Sequence, residues 1–108
     1  MSHQPHELAH LGRFLEPAIL ILVSLANGPK HGYAMIEDIE QLSAVRLGPG
    51  TLYGALTRME RDGLIAALPA TDRRRPYQVT ALGVEILREQ LSRLQAFTAI
   101  GLQRLAYR

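Results

Sequence analysis

The fold is decided by residues 47–63, which read LGPGTLYGALTRMERDG. Residues 47–50 break the pattern that precedes them, and Asp62–Gly63 supplies a glycine suited to a helix C-cap. Between these breaks we predict a helix from about Thr51 to Arg61. Its apolar residues recur at helical spacing, so one face of this helix is expected in a core. That stripe is formed by Leu52, Ala55, Leu56 and Met59.

The opposite face of this helix has the composition of a surface that reads a DNA groove. It is formed by Thr51, Tyr53, Gly54, Thr57 and Arg58. These residues offer hydroxyl and guanidinium donors, a glycine that permits close approach, and no carboxylate. The alternative is that Tyr53 is a half-buried packing residue and that Arg58 pairs with Asp62 four positions on. The residue pattern by itself leaves both interpretations open.

Two helices are predicted before this segment. The first begins near Glu16–Pro17, because proline is well tolerated in a first helical turn, and Asn27–Pro29 stops it. Its dense apolar residues, 19–25, indicate burial on nearly all sides. The second helix runs from about Gly32 to Leu42 and is amphipathic. Its apolar stripe is Met35, Ile36, Ile39 and Leu42, and its outward residues are Glu37, Asp38, Glu40 and Gln41.

Two strands and one long helix are predicted after the helix at residues 51–61. Leu64–Leu68 and Tyr77–Val79 read as a two-stranded ribbon around a basic, proline-bracketed tip, and Thr80 is a suitable N-cap for a last helix. This order predicts a mainly α protein with a small β-ribbon, a winged helix–turn–helix with an appended C-terminal helix. The predicted organisation is a flexible arm, residues 1–12, a DNA-binding domain, residues 13–80, and a dimerisation helix, residues 81–108.

The tip of the ribbon carries Arg73, Arg74 and Arg75, the only run of three like charges in the chain. Arginines at a wing tip reach into a narrow minor groove or contact flanking phosphates. A charge run is more often a solvated turn, but the prolines on both sides stiffen this loop. We therefore favour a role in DNA binding.

Three segments in order resemble the PadR-like regulators: residues 29–33 (PKHGY), 49–56 (PGTLYGAL) and 62–65 (DGLI). Residues 74–83 (RRPYQVTALG) also resemble that family's arginine-rich approach to its last helix. The resemblance implies a winged helix–turn–helix that represses transcription as a dimer. It implies that Tyr33, Thr51, Tyr53 and the wing arginines face DNA, and it favours the groove-reading interpretation. The full predicted DNA-contact set is Lys30, Tyr33, Thr51, Tyr53, Gly54, Thr57, Arg58, Arg73, Arg74 and Arg75.

The last helix carries a leucine stripe that a domain of this size covers only in part. The predicted dimerisation residues are Leu87, Leu91, Leu94, Leu102 and Leu105. The alternative is a helix folded back on its own core. We favour a homodimer, because paired recognition helices match paired half-sites on a palindromic operator.

Some short members of the PadR-like family enclose a hydrophobic space at the dimer interface. The residues here that could line one for a small aromatic effector are Phe14, Leu15, Leu94, Phe97 and Ile100. The chain has no tryptophan to clamp such a ligand. An ordinary core closed by Phe14 and Phe97, with no effector, is equally consistent with the pattern.

Composition excludes several other classes of protein. The 108 residues contain no cysteine, and the net charge of +2 includes eleven arginines against one lysine. We find no nucleophile–base spacing and no glycine-rich phosphate loop, so we predict no enzyme, no cofactor and no metal site, and treat His3, His6 and His10 as incidental. No apolar run reaches the length of a membrane span, which favours a cytoplasmic protein. A rival hypothesis is a dimeric protein-interaction adaptor whose winged helix does not bind DNA.

Overall fold

The computed structural model describes residues 16–108, within which four helices and three short strands form. In chain order these elements are α1 (Pro17–Leu25), β1 (Lys30–His31), α2 (Gly32–Ser43), α3 (Pro49–Arg61), β2 (Ile65–Ala67), β3 (Pro76–Val79) and α4 (Ala81–Ala106). The predicted fold class, a mainly α winged helix–turn–helix with a C-terminal helix, is confirmed. Phe14, Leu15 and the histidines at 3, 6 and 10 lie outside the described residues.

The helix starts follow local chemistry. Glu16 is extended at the start of α1 with Pro17 in the first turn, and α3 begins at Pro49 in the same way. Helix α3 therefore starts two residues earlier than predicted, because proline takes its first position. At α4 the Thr80 hydroxyl accepts from the Gly83 N–H at 3.0 Å and donates to the Gly63 carbonyl at 2.6 Å. Thr80 thus caps α4 and ties its start to the end of α3.

The sheet has three antiparallel strands in the order β1-β3-β2, whereas the sequence predicted two. Lys30 pairs with Tyr77 and His31 pairs with Pro76. The missed strand contains only two residues, too few to show an alternating pattern. Its pairing has a functional consequence, because it brings the start of α2 beside the base of the wing.

The core lies where α1, α2 and α3 meet the sheet. Its most deeply buried residues are Ile21, Leu25, Met35, Ile39, Leu52, Leu56 and Ile65. The apolar stripe predicted for α3 is buried in full. For α2 the stripe was one residue too long: Leu42 lies in the last turn, outside the buried cluster, and is 56% exposed.

Helix α4 packs on this core only near its start. Gly83 and Leu87 are its two buried residues, and a Cβ at Gly83 would lie 2.7 Å from Val79 Cγ2, so glycine permits this close packing. A helix of 26 residues spans about 39 Å, and most of α4 extends beyond the core. Within residues 16–108, no helix combines the length and the apolar character needed to cross a membrane.

Candidate nucleic-acid interface

The outward face of α3 is available to a ligand. Thr51, Tyr53, Thr57 and Arg58 are exposed and Gly54 is partly exposed, while the opposite side of the helix is buried. The N-cap position of α3 is Gly48, which has no side chain, so the N-terminal end of the helix has no side-chain cap. This is the arrangement that groove reading requires, since the N-terminal residues of a recognition helix contact base edges.

Two side chains on α3 have defined orientations. The Thr57 hydroxyl donates to the Tyr53 carbonyl at 2.9 Å, so its oxygen is left to accept a hydrogen bond from a ligand. Arg58 lies across Gly54, where its Nη1 would be 3.6 Å from an added Cβ. Within residues 16–108 Asp62 pairs with Arg61 at 3.4 Å and not with Arg58, so the alternative pairing considered from sequence does not form.

The wing tip is a tight turn with an unfavourable sequence. Thr71 and Arg74 exchange backbone hydrogen bonds of 2.9 and 2.8 Å, and the two residues between them, Asp72 and Arg73, have φ angles of +50° and +66°. Positive φ at both central positions is the geometry that asparagine and glycine normally adopt. Each non-glycine residue there costs about 1 kcal/mol. An arginine held in such a position is a candidate for a functional residue.

The two strained positions give a matched pair of tests. Asp72→Gly and Arg73→Gly should each stabilise the fold by about 0.5–1 kcal/mol, since both relieve positive φ. The two variants should change the affinity for DNA in opposite directions. Asp72→Gly removes a carboxylate from the tip and should raise affinity about two- to fivefold, whereas Arg73→Gly should lower it about tenfold. Thermal unfolding and fluorescence anisotropy check this, and a loss of affinity in both variants would mean that turn geometry, not charge, matters.

The start of α2 contributes a second exposed tyrosine. Tyr33 is 57% exposed, and the guanidinium of Arg46 lies 6.0 Å from the centre of its ring. Glu40 binds Arg46 at 2.9 Å, and this hydrogen bond is the main reason that the pKa of Arg46 is raised above its ordinary value. Arg46 was not predicted as a site residue. It reaches Tyr33 because Ala44, at φ +62°, reverses the chain after α2.

The prediction that Lys30 contacts DNA needs correction. Its ammonium donates to the Ser24 carbonyl and to Asn27 Oδ1 and lies 3.9 Å from Asp38 Oδ2. The buried Ser24 hydroxyl also donates to Asp38, at 2.7 Å. Asp38, predicted to face solvent, is therefore part of this network, which joins α1 to α2. The single lysine of the chain is occupied within its own fold.

Lys30→Met tests whether Lys30 stabilises the fold or contacts DNA, because methionine keeps the apolar part of the side chain and removes the ammonium. We expect a loss of about 1–3 kcal/mol in unfolding free energy, since Asp38 and the Ser24 carbonyl lose their partner. The slope of log affinity against log salt should not change, because no phosphate contact is removed. Arg74→Met is the control and should do the reverse, lowering the slope by about 0.9 while leaving the thermal midpoint in place.

The predicted dimerisation residues divide into two groups. Leu87 needs correction: it is 7% exposed and belongs to the core of its own chain. Leu91, Leu102 and Leu105 are 44%, 63% and 61% exposed, and Leu94 is partly buried. The helix is therefore not folded back over its length. Among the residues predicted for an effector, Phe97 and Ile100 are exposed on the same helix.

His31 lies in the site, between the start of α2 and the wing. Its Nδ1 accepts from the Ala34 N–H at 3.4 Å, and its Nε2 lies 3.3 Å from Arg74 Nη1 on the wing. The contact joins residues 43 positions apart, and no local signal marks it. Tyr77 faces the same region, and burial, aided by Glu60, raises its pKa above the ordinary value, so its phenol keeps its proton.

A three-helix core, a small sheet and an exposed third helix beside a basic wing define a winged helix–turn–helix DNA-binding protein. The model of the "Transcriptional regulator PadR-like family" matches residues 21–89. The chain therefore belongs to the PadR-like family, whose members are transcriptional regulators and not enzymes.

Solved structures agree with this assignment. A PadR family transcription regulator from Clostridium difficile superimposes with a TM-score of 0.77 at 26% identity, covering 84% of this chain and 99% of that one. A PadR-like transcription factor from Bacteroides fragilis has a TM-score of 0.69 at 20% identity, with coverages of 88% and 92%. A winged-helix DNA-binding protein from STIV has the same fold, with a TM-score of 0.66 at 16% identity and coverages of 71% and 85%.

A sequence relative occurs in Streptomyces fradiae. An uncharacterized 37.1 kDa protein in transposon TN4556 is 49% identical over 72 residues, which cover 67% of this chain. Those residues are 21% of that protein, so this chain spans about a fifth of the relative it matches.

Proposed function

We propose that this regulator binds a palindromic operator as a homodimer and represses transcription from the adjoining promoter. One observation carries the proposal: the exposed, carboxylate-free face of α3 and the three arginines of the wing border one cleft, through Tyr53 and Arg73–Arg75. Helix α3 would read base edges in the major groove, and the wing would contact the minor groove or its phosphates.

The homodimer is proposed from α4. Its exposed leucines continue, beyond Leu87, the stripe that packs on the core. Two such helices crossing at a two-fold axis would cover this apolar surface and hold the recognition helices at a fixed separation. Half-sites are expected about one helical turn, ~34 Å, apart or at a multiple of that distance.

Effector control remains a separate hypothesis. On one chain Phe97 and Ile100 are part of an open face, so an aromatic ligand would need the partner's helix to enclose it. Such a ligand would change DNA affinity only by the difference in its affinity for two dimer states. Compounds that raise the thermal midpoint of the wild type but not of Phe97→Ala would support this hypothesis.

The proposal is tested by selecting duplexes from a random pool and measuring binding of the enriched sequence by gel shift. A palindrome bound at least about 10³-fold more tightly than random DNA is expected. A promoter carrying it should be silenced when the protein is present and active when it is absent. The rival hypothesis is an adaptor without DNA binding. It predicts no enriched sequence, and no more affinity for DNA than a variant with Arg73, Arg74 and Arg75 all replaced by alanine.

A further inference from the structure

The phenol ring of Tyr53 lies directly against the backbone of Gly32, at the start of α2. A Cβ built on Gly32 would clash with the Tyr53 hydroxyl oxygen and would lie 2.7 Å from Tyr53 Cζ, closer than such atoms approach each other. The φ of Gly32 lies outside the left-handed region, so other residues could adopt its backbone conformation. A side chain at this position would make the exposed phenol of Tyr53 shift, so glycine is what lets the phenol lie where it does.

Tyr53 lines an open cleft of about 490 Å³ between α2, α3 and the wing. Tyr33 and Tyr77 line the same cleft together with His31 and the wing arginines. Among residues 16–108 no carboxylate lines it, and Asp72 lines the adjoining cleft, which shares His31 and Arg74. Tyr77 is a hydrogen-bond donor, and burial raises its pKa further above neutrality. The cleft thus combines neutral hydroxyl donors with fixed positive charge, a combination suited to an oxyanion.

The contact between His31 and Arg74 also points to an anion. A neutral imidazole has one nitrogen that accepts, and both the Ala34 N–H and the Arg74 guanidinium are donors. The neutral tautomer in which Nδ1 accepts from Ala34 carries its proton on Nε2, 3.3 Å from Arg74 Nη1. In that tautomer both groups are donors, and an oxygen placed beside them would accept from both.

We infer that this cleft binds one phosphate of the DNA backbone, and that Gly32 is the positioning residue that holds Tyr53 in place to donate to it. The inference rests on the proposed function. It adds His31 and Gly32, neither of which belongs to the predicted DNA-contact set. It also gives Tyr53 a defined position: the hydroxyl end of its phenol lies over Gly32, and from there the hydroxyl would donate to the phosphate.

The test is a double-mutant cycle between positions 32 and 53, measured by fluorescence anisotropy on the selected duplex. Gly32→Ala should lower affinity about tenfold, because the added methyl group displaces the phenol, and Tyr53→Phe should lower it by a similar factor. In a Tyr53→Ala background the ring is gone, so Gly32→Ala should have no further effect. The thermal midpoint of Gly32→Ala should stay within a few degrees of the wild type.

His31→Asn provides an independent variant. Asparagine is a good N-cap, so α2 keeps its cap while the Nε2 donor is lost. We expect about a three- to tenfold loss of affinity at unchanged thermal stability. Wild-type stability together with wild-type affinity would remove His31 from the site.

The phosphate itself is identified with duplexes carrying one neutral methylphosphonate at successive positions. One position should weaken the wild type and have no further effect on Gly32→Ala. Wild-type affinity of Gly32→Ala, an equal loss in the Tyr53→Ala background, or additive losses at every methylphosphonate position would overturn the inference alone. A wild type that binds no duplex would overturn the proposed function as well.

Discussion

Replacing Arg73, Arg74 and Arg75 together by alanine is expected to lower the affinity for the operator roughly 10³-fold, at about 1.5 kcal/mol for each charge-assisted contact. Affinity for random DNA should fall with it, since phosphate contacts carry no sequence information. The slope of log affinity against log salt should decrease by about 2.7, at about 0.9 for each phosphate contact. All three side chains are exposed and lie beyond the core, so the thermal midpoint should hardly change.

The control removes the same charge elsewhere. Arg93, Arg104 and Arg108 lie on or after α4 and are exposed. Replacing these three by alanine changes the net charge equally, so a comparable fall in salt slope would assign the effect to overall charge. An unchanged slope in the wing triple would show that the tip is only a solvated turn.

The helices were predictable because their boundaries are set by residues that are close in the sequence. Proline in a first turn, an extended residue before it and a threonine cap mark the starts of α1, α3 and α4, and glycine marks the end of α3. The apolar stripe of α3 identified both its buried face and, by exclusion, its outward face. Each of these signals acts within about four residues, where backbone hydrogen bonding and sterics are decided.

The features that were missed depend on distant partners. Strand β1 exists because Lys30 and His31 pair with Tyr77 and Pro76, and a two-residue strand has no period of its own. Lys30 looked like a free cation because its partner Asp38, eight positions away on α2, matched the outward face of that helix. Leu87 was assigned to the dimer interface because the leucine spacing alone does not show which leucines pack on the core of the same chain.

The site depends on such distant pairings more than the fold does. The DNA-facing residues of α3 and the wing could be proposed from composition and resemblance. The cleft between them could not, because it needs β1 to bring Gly32 beside Arg74 and needs Tyr53 to fold over that glycine. In sequence Gly32 marks only the start of a helix, whereas in three dimensions the phenol of Tyr53 lies against it.

The second large effect concerns assembly. Leu102 and Leu105 are 63% and 61% exposed on one chain, so aspartate at both positions leaves the core intact and places two carboxylates in the proposed helix–helix seam. The double variant should fold with a wild-type thermal midpoint measured at low concentration and sediment as a monomer. Its affinity for the palindrome should fall by about 10²–10⁴-fold, because the second half-site is no longer bound by a linked partner, while affinity for a single half-site is kept.

The matched control is Gln103→Asp, which adds a carboxylate to the same turn on the other side of the helix, where it is exposed. It should sediment as the wild type does and bind the palindrome normally. Loss of the dimer in both variants would point to melting of the helix end by added charge. A wild type that is monomeric at micromolar concentration, or a Leu102→Asp/Leu105→Asp variant that remains a dimer, would rule out the distal half of α4 as the seam. The leucines beyond Leu87 would then need a different partner, because a stripe this exposed on an isolated chain is a surface that binds another apolar surface.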